Sequence, residues 1–226
     1  MPKTKNAEQK IEHKGLVICY IGAGKGKTTA AMGLAVRAAG AGMDVFILQF
    51  VKAKSGSDFA IRPLRQATAD NEASSDGQSE DRIARGEWPL SCEIDFFNSV
   101  GHSSGVGRID TEQAGIGFVG ILGDRKQKDI HIREALKGLE RAREIIISKK
   151  YQVVILDEII SALELKLIEE RDIIDLINNK PPDVHLVLTG HNKFPQILKQ
   201  CDLVTEMKMV KHPYYKGILA QKGIDY

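Results

Sequence analysis

The residues best suited to chemistry lie in a glycine-rich stretch near the start of the chain. Eight consecutive residues combine a flexible backbone with two ammonium groups and two hydroxyls: Gly22, Ala23, Gly24, Lys25, Gly26, Lys27, Thr28 and Thr29. Glycines let a backbone curl so that several N–H groups point inward and bind an anion. Lys27 adds a positive charge toward phosphates, and the Thr28 hydroxyl can ligate an accompanying Mg²⁺. The stretch predicts an ATP-binding loop in which Lys27 and Thr28 are catalytic.

The surroundings of this loop favour phosphate binding over a plain turn. An apolar run at residues 15–21 predicts a buried strand before the loop, and the spacing of residues 28–40 predicts a helix after it. The usual pattern is GxxxxGK[ST], whereas only three residues separate Gly22 from Gly26 here, so the loop is one residue short. A turn that binds nothing has no need of two lysines, but a highly charged triphosphate does.

Two neighbouring carboxylates, Asp157 and Glu158, form the second candidate feature. They directly follow an apolar run at residues 153–156. In an open α/β sheet, ligands bind at the carboxyl ends of the strands, so these carboxylates are expected to face the loop and to hold Mg²⁺ together with Thr28. Glu158 is predicted to contact the ion and to be catalytic, while Asp157 orients water or Thr28. The alternative is a strand that simply ends in solvated acids.

Strand and helix patterns alternate along the chain. Strands are predicted at residues 15–21, 45–50, 151–156, 184–188 and 203–210. Helices are predicted at residues 28–40, 129–148, 162–167, 169–178 and 192–200. This alternation predicts an α/β fold: a single P-loop NTPase-like (RecA-like) domain over residues 15–226, with a mostly parallel sheet and helices on both faces. Residues 1–14 are expected to be a flexible segment and residues 54–86 a polar loop insertion, while the pieces at 94–97 and 115–123 suggest loop and short strand around a site.

Composition narrows the range of partners. The chain has 226 residues and a net charge of +2, which is too small to indicate nucleic acid or an anionic membrane as a partner. No stretch approaches the ~18 apolar residues of a membrane helix, and no apolar core of a signal peptide precedes the first strand. Three widely spaced cysteines without a CxxC pair suggest reduced thiols. A cytoplasmic protein is therefore expected.

Residues 15–31 resemble the opening of the P-loop type of ATP:corrinoid adenosyltransferase, in which the shortened loop is a characteristic mark. The similarity returns at residues 34–40, 49–52, 154–158, 188–190, 202–208, 210–212 and 217–226. The resemblance implies that Co(I) of a corrinoid such as cobalamin attacks the 5′ carbon of ATP and that triphosphate leaves. ATP, Mg²⁺ and the corrinoid are the implied ligands. It further implies a homodimer and a reduced flavoprotein as electron donor.

The resemblance also implies apolar side chains that displace the lower axial ligand of the corrinoid. Four residues are candidates for this role: Trp88, Phe96, Phe97 and Phe118. Phe118 is the first choice because it matches a Gly-Phe pair of the family, and Trp88, the only tryptophan, is the second. The family continues that pair with Thr-Trp, whereas this chain has Val119 and Gly120. Its His191 also stands where the family commonly has arginine.

Two other functions remain open. An ordinary P-loop ATPase or kinase would share the loop and the acidic pair but would release ADP. A carrier of corrinoid or nucleotide would bind its ligand without turnover, and the missing aromatic residue after Phe118 is compatible with it. The products formed from ATP distinguish these functions.

Overall fold

The computed structural model describes residues 14–53, 92–99, 104–115, 127–218, 221 and 223–224. The strands of these residues form one six-stranded sheet in the order β3-β2-β4-β5-β1-β6, and neighbouring strands pair in parallel. Their bounds are Val17–Ile21 (β1), Val45–Ala53 (β2), Ile109–Gly115 (β3), Val153–Asp157 (β4), His185–Thr189 (β5) and Leu203–Glu206 (β6). The carboxyl ends of all six strands therefore lie along the same side of the sheet, which we call its carboxyl edge.

Helices connect these strands. Their bounds are Lys27–Gly40 (α1), Cys92–Ser99 (α2), Lys128–Ser148 (α3), Ile159–Glu164 (α4), Glu170–Asn178 (α5) and Pro195–Gln200 (α6), followed by a 3₁₀ turn at Pro213–Lys216. Local signals define several ends. Helix α3 stops at Lys149, whose φ of 56° is left-handed, and α5 begins with a reciprocal capping box between Glu169 and Asp172. None of the helices among the described residues is long and apolar enough to cross a membrane.

The two faces of the sheet bury two separate apolar clusters. Alternate residues of a strand point to opposite faces, so Cys19 and Leu48 join one cluster while Ile18 and Ile47 join the other. Helices α3, α4, α5 and α6 cover the first face, and α1 and α2 cover the second. The predicted α/β fold, a parallel sheet with helices on both faces, is confirmed.

Between residues 87 and 123, one prediction is wrong and one strand was missed. Residues 94–97, expected as loop and short strand, lie inside helix α2. Ile94 and Phe97, three residues apart, are buried on the same side of that helix, while Phe96 is 58 % exposed. Strand β3 was not expected, because its sequence Ile-Asp-Thr-Glu-Gln-Ala-Gly is mostly polar and every residue in it is half-buried at a sheet edge.

Several predictions concern parts of the chain outside the described residues. The segments 1–13 and 54–91 fall there, and so do residues 116–126. Trp88 and Phe118, the candidates for contact with a corrinoid, therefore lie outside the described residues, as do the expected N-terminal segment up to residue 13 and the polar loop at 54–86.

Candidate nucleotide-binding site

The glycine-rich loop joins the end of β1 to the start of α1. Strand β1 ends at Ile21 and helix α1 begins at Lys27, so residues 22–26 form the turn between them. Gly22 has a φ of 112° and Gly26 a φ of 105°, a region that side-chain-bearing residues rarely adopt. The predicted strand–loop–helix arrangement is present, and two of its glycines are explained by backbone conformation.

The chain that follows β6 supports this loop from one side. The Gly24 N–H donates to the Met207 carbonyl at 2.8 Å, and the Met207 N–H donates to the Ile21 carbonyl at 2.8 Å. The Gly22 N–H donates to the carbonyl of His191 at 3.0 Å, which places the chain after β5 beside the loop. A Cβ at position 24 would lie 2.8 Å from the carbonyl oxygen of Met207 and from the carbonyl carbon of Lys208. The loop therefore rests directly on backbone.

Lys27 lies inside its own loop. Its Nζ donates to the carbonyls of Gly22 at 2.8 Å and Gly24 at 2.9 Å, and the residue is buried. Burial lowers the pKa of Lys27 below its usual value, while the negative charges of Glu158 and Asp157 act in the opposite direction. Phosphate oxygens entering the loop would compete with the two carbonyls for the same N–H donors.

Asp157, at the end of β4, connects the loop helix to the neighbouring strands. Its Oδ1 accepts from the hydroxyls of Thr28 at 3.0 Å and Thr189 at 2.8 Å, and its Oδ2 accepts from Gln49 Nε2 at 3.1 Å. Asp157, Gln49 and Thr189 are all fully buried. A carboxylate is an acceptor only, so three donors around it satisfy its hydrogen-bonding requirement. Thr28 is thereby held at the carboxyl edge of the sheet.

Glu158 begins helix α4 in an unusual conformation. Its φ of 61° is left-handed, and its N–H donates to the Thr189 hydroxyl at 2.8 Å. The Ser161 hydroxyl donates to its Oε2. A side-chain-bearing residue with this backbone conformation costs free energy, and such residues cluster at functional sites. The turn keeps the half-buried Glu158 carboxylate at the same edge of the sheet as Asp157.

The chemistry of these oxygens fits Mg²⁺. Hydroxyl and carboxylate oxygens are ligands that Mg²⁺ prefers, and Mg²⁺ commonly binds proteins through one or two carboxylates while water and substrate phosphates complete the octahedron. Thr28, Asp157 and Glu158 would be the residues to hold it. In the described part of the chain, no group of three His, Cys, Asp or Glu side chains could hold a metal ion.

The structure brings Lys27 and Thr28 together with Asp157 and Glu158. In the rest of the loop, Gly22 and Gly24 are buried, Gly26 is half-buried, and the exposed positions are Ala23, Lys25 and Thr29. Sequence reasoning missed Gln49, Thr189, Ser161 and Gln113. A signal for the first was available, because Gln49 is a polar residue inside the otherwise apolar run of residues 45–50.

A buried parallel strand, a glycine-rich anion-binding loop and an acidic strand end at the same edge of an α/β sheet define a P-loop nucleotide-binding protein. Further comparison identifies the family within this class. The family model described as ATP:corrinoid adenosyltransferase BtuR/CobO/CobP matches residues 13–82 and 82–226.

Curated relatives agree with the family model. The chain is 31 % identical over 232 residues to a corrinoid adenosyltransferase of a Sinorhizobium species, with 100 % of this chain and 89 % of that protein covered. It is 26 % identical over 218 residues to the corrinoid adenosyltransferase of Escherichia coli strain K12, with 96 % and 89 % covered. It is 25 % identical over 218 residues to corrinoid adenosyltransferase CobA of Salmonella typhimurium, with the same coverage. This chain belongs to the ATP:corrinoid adenosyltransferase family, a family of transferases, and the predicted resemblance is confirmed.

Proposed function

We propose that this chain transfers the 5′-deoxyadenosyl group of ATP to the Co(I) of a corrinoid and releases triphosphate, in the synthesis or salvage of adenosylcobalamin. The observation that carries the proposal is the match of the family model to residues 13–226. The short phosphate loop and the acidic end of β4 support it, because they provide a place for the triphosphate that leaves.

The bond changes explain what this site has to do. A cobalt–carbon bond forms with the electron pair of Co(I), the bond between C5′ and the triphosphate oxygen breaks, and negative charge collects on that oxygen. The loop therefore holds a leaving group rather than a group in transfer. Loop N–H groups, Lys25 and Lys27 stabilise that charge. When bound, Mg²⁺ would supply further positive charge at the same phosphates.

Each candidate catalytic residue has a separate task in this proposal. Lys27 releases the carbonyls of Gly22 and Gly24 and donates to phosphate oxygens instead. With Mg²⁺ bound, the Thr28 hydroxyl oxygen would be one of its ligands, and Asp157 holds that hydroxyl in place. The Glu158 carboxylate would be a further ligand of the ion. No general base is required, because Co(I) is itself a strong nucleophile and the rest of catalysis is positioning.

The test is an oxygen-free reaction of the purified protein with Mg-ATP and chemically reduced cobalamin. We expect loss of the Co(I) absorption bands, a light-sensitive alkyl-cobalt product and free triphosphate. Lys27→Ala should abolish product formation. Lys137→Ala, which makes the same change at an exposed lysine on α3, should leave it intact.

Other products would overturn the proposal. Release of ADP with an unchanged Co(I) spectrum would identify an ATPase or kinase on the same scaffold. Binding of corrinoid or ATP without any turnover would identify a carrier instead. Both outcomes are read from the same reaction mixture.

The family resemblance supports four finer proposals: a homodimer, a reduced flavoprotein as the electron donor, a cytoplasmic location, and contact of Phe118 and Trp88 with the corrinoid. Sedimentation of the purified protein tests the homodimer, and fractionation of source cells tests the location. Replacing the chemical reductant by a reduced flavoprotein tests the donor. Phe118→Ala and Trp88→Ala should slow the reaction that starts from Co(II) more than the reaction that starts from Co(I). An equal effect on both would contradict their role in displacing the axial ligand.

A further inference from the structure

Two side-chain amides, on neighbouring strands, form a chain of hydrogen bonds that ends at Asp157. Gln113 on β3 donates from its Nε2 to Gln49 Oε1 on β2 at 3.2 Å, and Gln49 donates from its Nε2 to Asp157 Oδ2 on β4 at 3.1 Å. The parallel registers pair Gln49 with Gln113 on one side and with Asp157 on the other. The three residues thus form one row across three strands, which we call the amide row.

Asp157 determines which atom of each amide in the amide row donates and which accepts. A carboxylate can only accept hydrogen bonds, so the amide nitrogen of Gln49 must face Asp157. Its oxygen then faces Gln113, which must offer a nitrogen in turn. Each amide is therefore oriented by the next, and the last one orients the carboxylate that holds the Thr28 hydroxyl.

The amide row differs in polarity from the residues that lie two positions earlier on the same face of the sheet. Two residues earlier on the same face, β2 and β4 carry the fully buried Ile47 and Ile155, whereas β3 carries the half-buried Thr111. Replacing both partners of a buried hydrogen bond by apolar groups of the same shape can be nearly neutral for stability, so the fold alone does not require polar side chains at these positions. On β2 and β4 the change from apolar to polar side chains therefore occurs at the carboxyl ends of the strands, where the candidate nucleotide site lies.

We propose that Gln49 and Gln113 are positioning residues of the nucleotide site: they hold the Asp157 carboxylate, and through it the Thr28 hydroxyl, in the orientation that Mg-ATP requires. The inference rests on the site assignment in the proposed function. It predicts that the amide row matters for ATP with Mg²⁺ and matters little for ATP alone, because Thr28 and Asp157 act on the phosphates through the ion.

Calorimetric titration with ATP, in Mg²⁺ and again in a chelator, measures the two affinities without any corrinoid. Gln49→Met keeps the length of the side chain but removes both hydrogen bonds, and we expect it to weaken Mg-ATP binding about tenfold and metal-free ATP binding less than about twofold. Gln113→Met should weaken Mg-ATP binding by about threefold, because Gln49 retains its bond to the carboxylate. Gln113 is only half-buried, so Gln113→Met should disturb folding less than Gln49→Met. If Gln49→Met does not fold, Gln113→Met tests the proposal.

Ile155→Val is the matched control for a purely structural effect. Ile155 is fully buried on β4, two residues before Asp157 and on the same face. The substitution should lower thermal stability and leave the ratio of the two ATP affinities at the wild-type value. If the Gln49 and Gln113 variants change that ratio no more than Ile155→Val does, the amide row is only a structural feature and the proposal is wrong.

A double variant tests the route of the effect. In a Thr28→Val background, Gln49→Met should add little further loss of Mg-ATP affinity, because its influence passes through the missing hydroxyl. Fully additive losses would overturn the proposal. If the wild-type protein fails to form alkyl-cobalt product, only the proposed function fails, since the affinity ratio is decided by ATP and Mg²⁺ alone.

Discussion

The three glycines of the phosphate loop are required for different physical reasons. Gly22 needs both a left-handed φ and empty space, because a Cβ would lie 2.4 Å from the Met207 carbonyl oxygen. Gly26 needs the left-handed φ, with only the flexible Met207 side chain nearby. Gly24 has an ordinary φ and is required for space alone. Substitution at Gly24 therefore tests the contact with the chain after β6 without adding strain in φ.

We expect Gly24→Ala to weaken ATP binding at least about tenfold, because rigid backbone at Met207 and Lys208 leaves no room for a methyl group. Titration calorimetry measures the loss. Gly33→Ala on α1 is the control, since its new Cβ would lie more than 4 Å from every described atom outside the adjoining residues and backbone of its own helix. That variant should bind ATP normally and gain up to about 1 kcal/mol of stability from its better helix propensity. Unchanged ATP affinity in Gly24→Ala would show that the loop does not rest on that backbone.

At the scale of elements, the start of β6 is held to β1 by a carboxylate. Asp202 accepts from the Val17 N–H at 2.8 Å and from Lys14 Nζ at 3.2 Å. These two donors, the Val17 N–H first, lower the pKa of Asp202. A carboxylate with a lowered folded-state pKa stabilises the fold above its unfolded-state pKa and loses that effect as the pH falls through the folded-state value.

Asp202→Asn should therefore reduce the free energy of unfolding by about 1 kcal/mol near pH 7. The difference from wild type should shrink as the pH falls below about 4, where the carboxyl of the unfolded chain takes up a proton, and should be lost once the pH has passed the lower folded-state pKa. Urea unfolding at a series of pH values measures both quantities. A difference that stays constant down to pH 2 would mean that the charge of Asp202 contributes nothing.

Helix α3 approaches β3 closely at Gly138. A Cβ there would lie 2.4 Å from the Ala114 Cβ and 3.2 Å from a Phe50 ring carbon. Gly138→Ala should destabilise the protein by about 1–3 kcal/mol, although alanine normally favours a helix. Chemical denaturation measures the change. Adding Ala114→Gly should restore part of the stability, and a double variant no better than Gly138→Ala would place the strain elsewhere.

The nucleotide loop and the acidic strand end could be predicted because each is contiguous in sequence and its chemistry rests on local backbone. The sequence marks Gln49 as a polar residue in an apolar run, but it does not show what Gln49, Gln113 or Thr189 contacts, because only the register of the sheet brings them to Asp157. Strand β3 was missed for a related reason. It lies at a sheet edge and needs few apolar residues, so its polar sequence resembles a loop. Helix α2 was missed because its apolar piece is short. The spacing of three residues between Ile94 and Phe97 was its only helical signal.

At the scale of the whole molecule, nucleotide binding and stability are linked. A ligand that binds only the folded state adds about 2.7 kcal/mol of stability at a concentration 100 times its Kd. The loop contacts the chain after β6 at Met207, and Asp157 of β4 bonds to Thr28 on the helix that follows the loop. Binding at the loop is therefore expected to stabilise several strands of the sheet. We expect Mg-ATP to raise the melting temperature of the wild type by several degrees, measured by a thermal shift, and to leave Lys27→Ala unmoved. An equal shift in both proteins would show that ATP binds somewhere other than the loop.

The position of β1 in the sheet has a consequence for how this protein is made. Of the six described strands, β1 is synthesised before the other five, yet its two neighbours in the sheet, β5 and β6, are synthesised last of the six. While the chain is being translated, the phosphate loop has neither its flanking strands nor the Met207 backbone beneath it. Folding of the domain must wait for these distant partners, which is slow and leaves an apolar strand uncovered in nascent chains. The phosphate loop is therefore fully supported only after β6 and Met207 have been synthesised, and a chain that stops before β6 lacks that support.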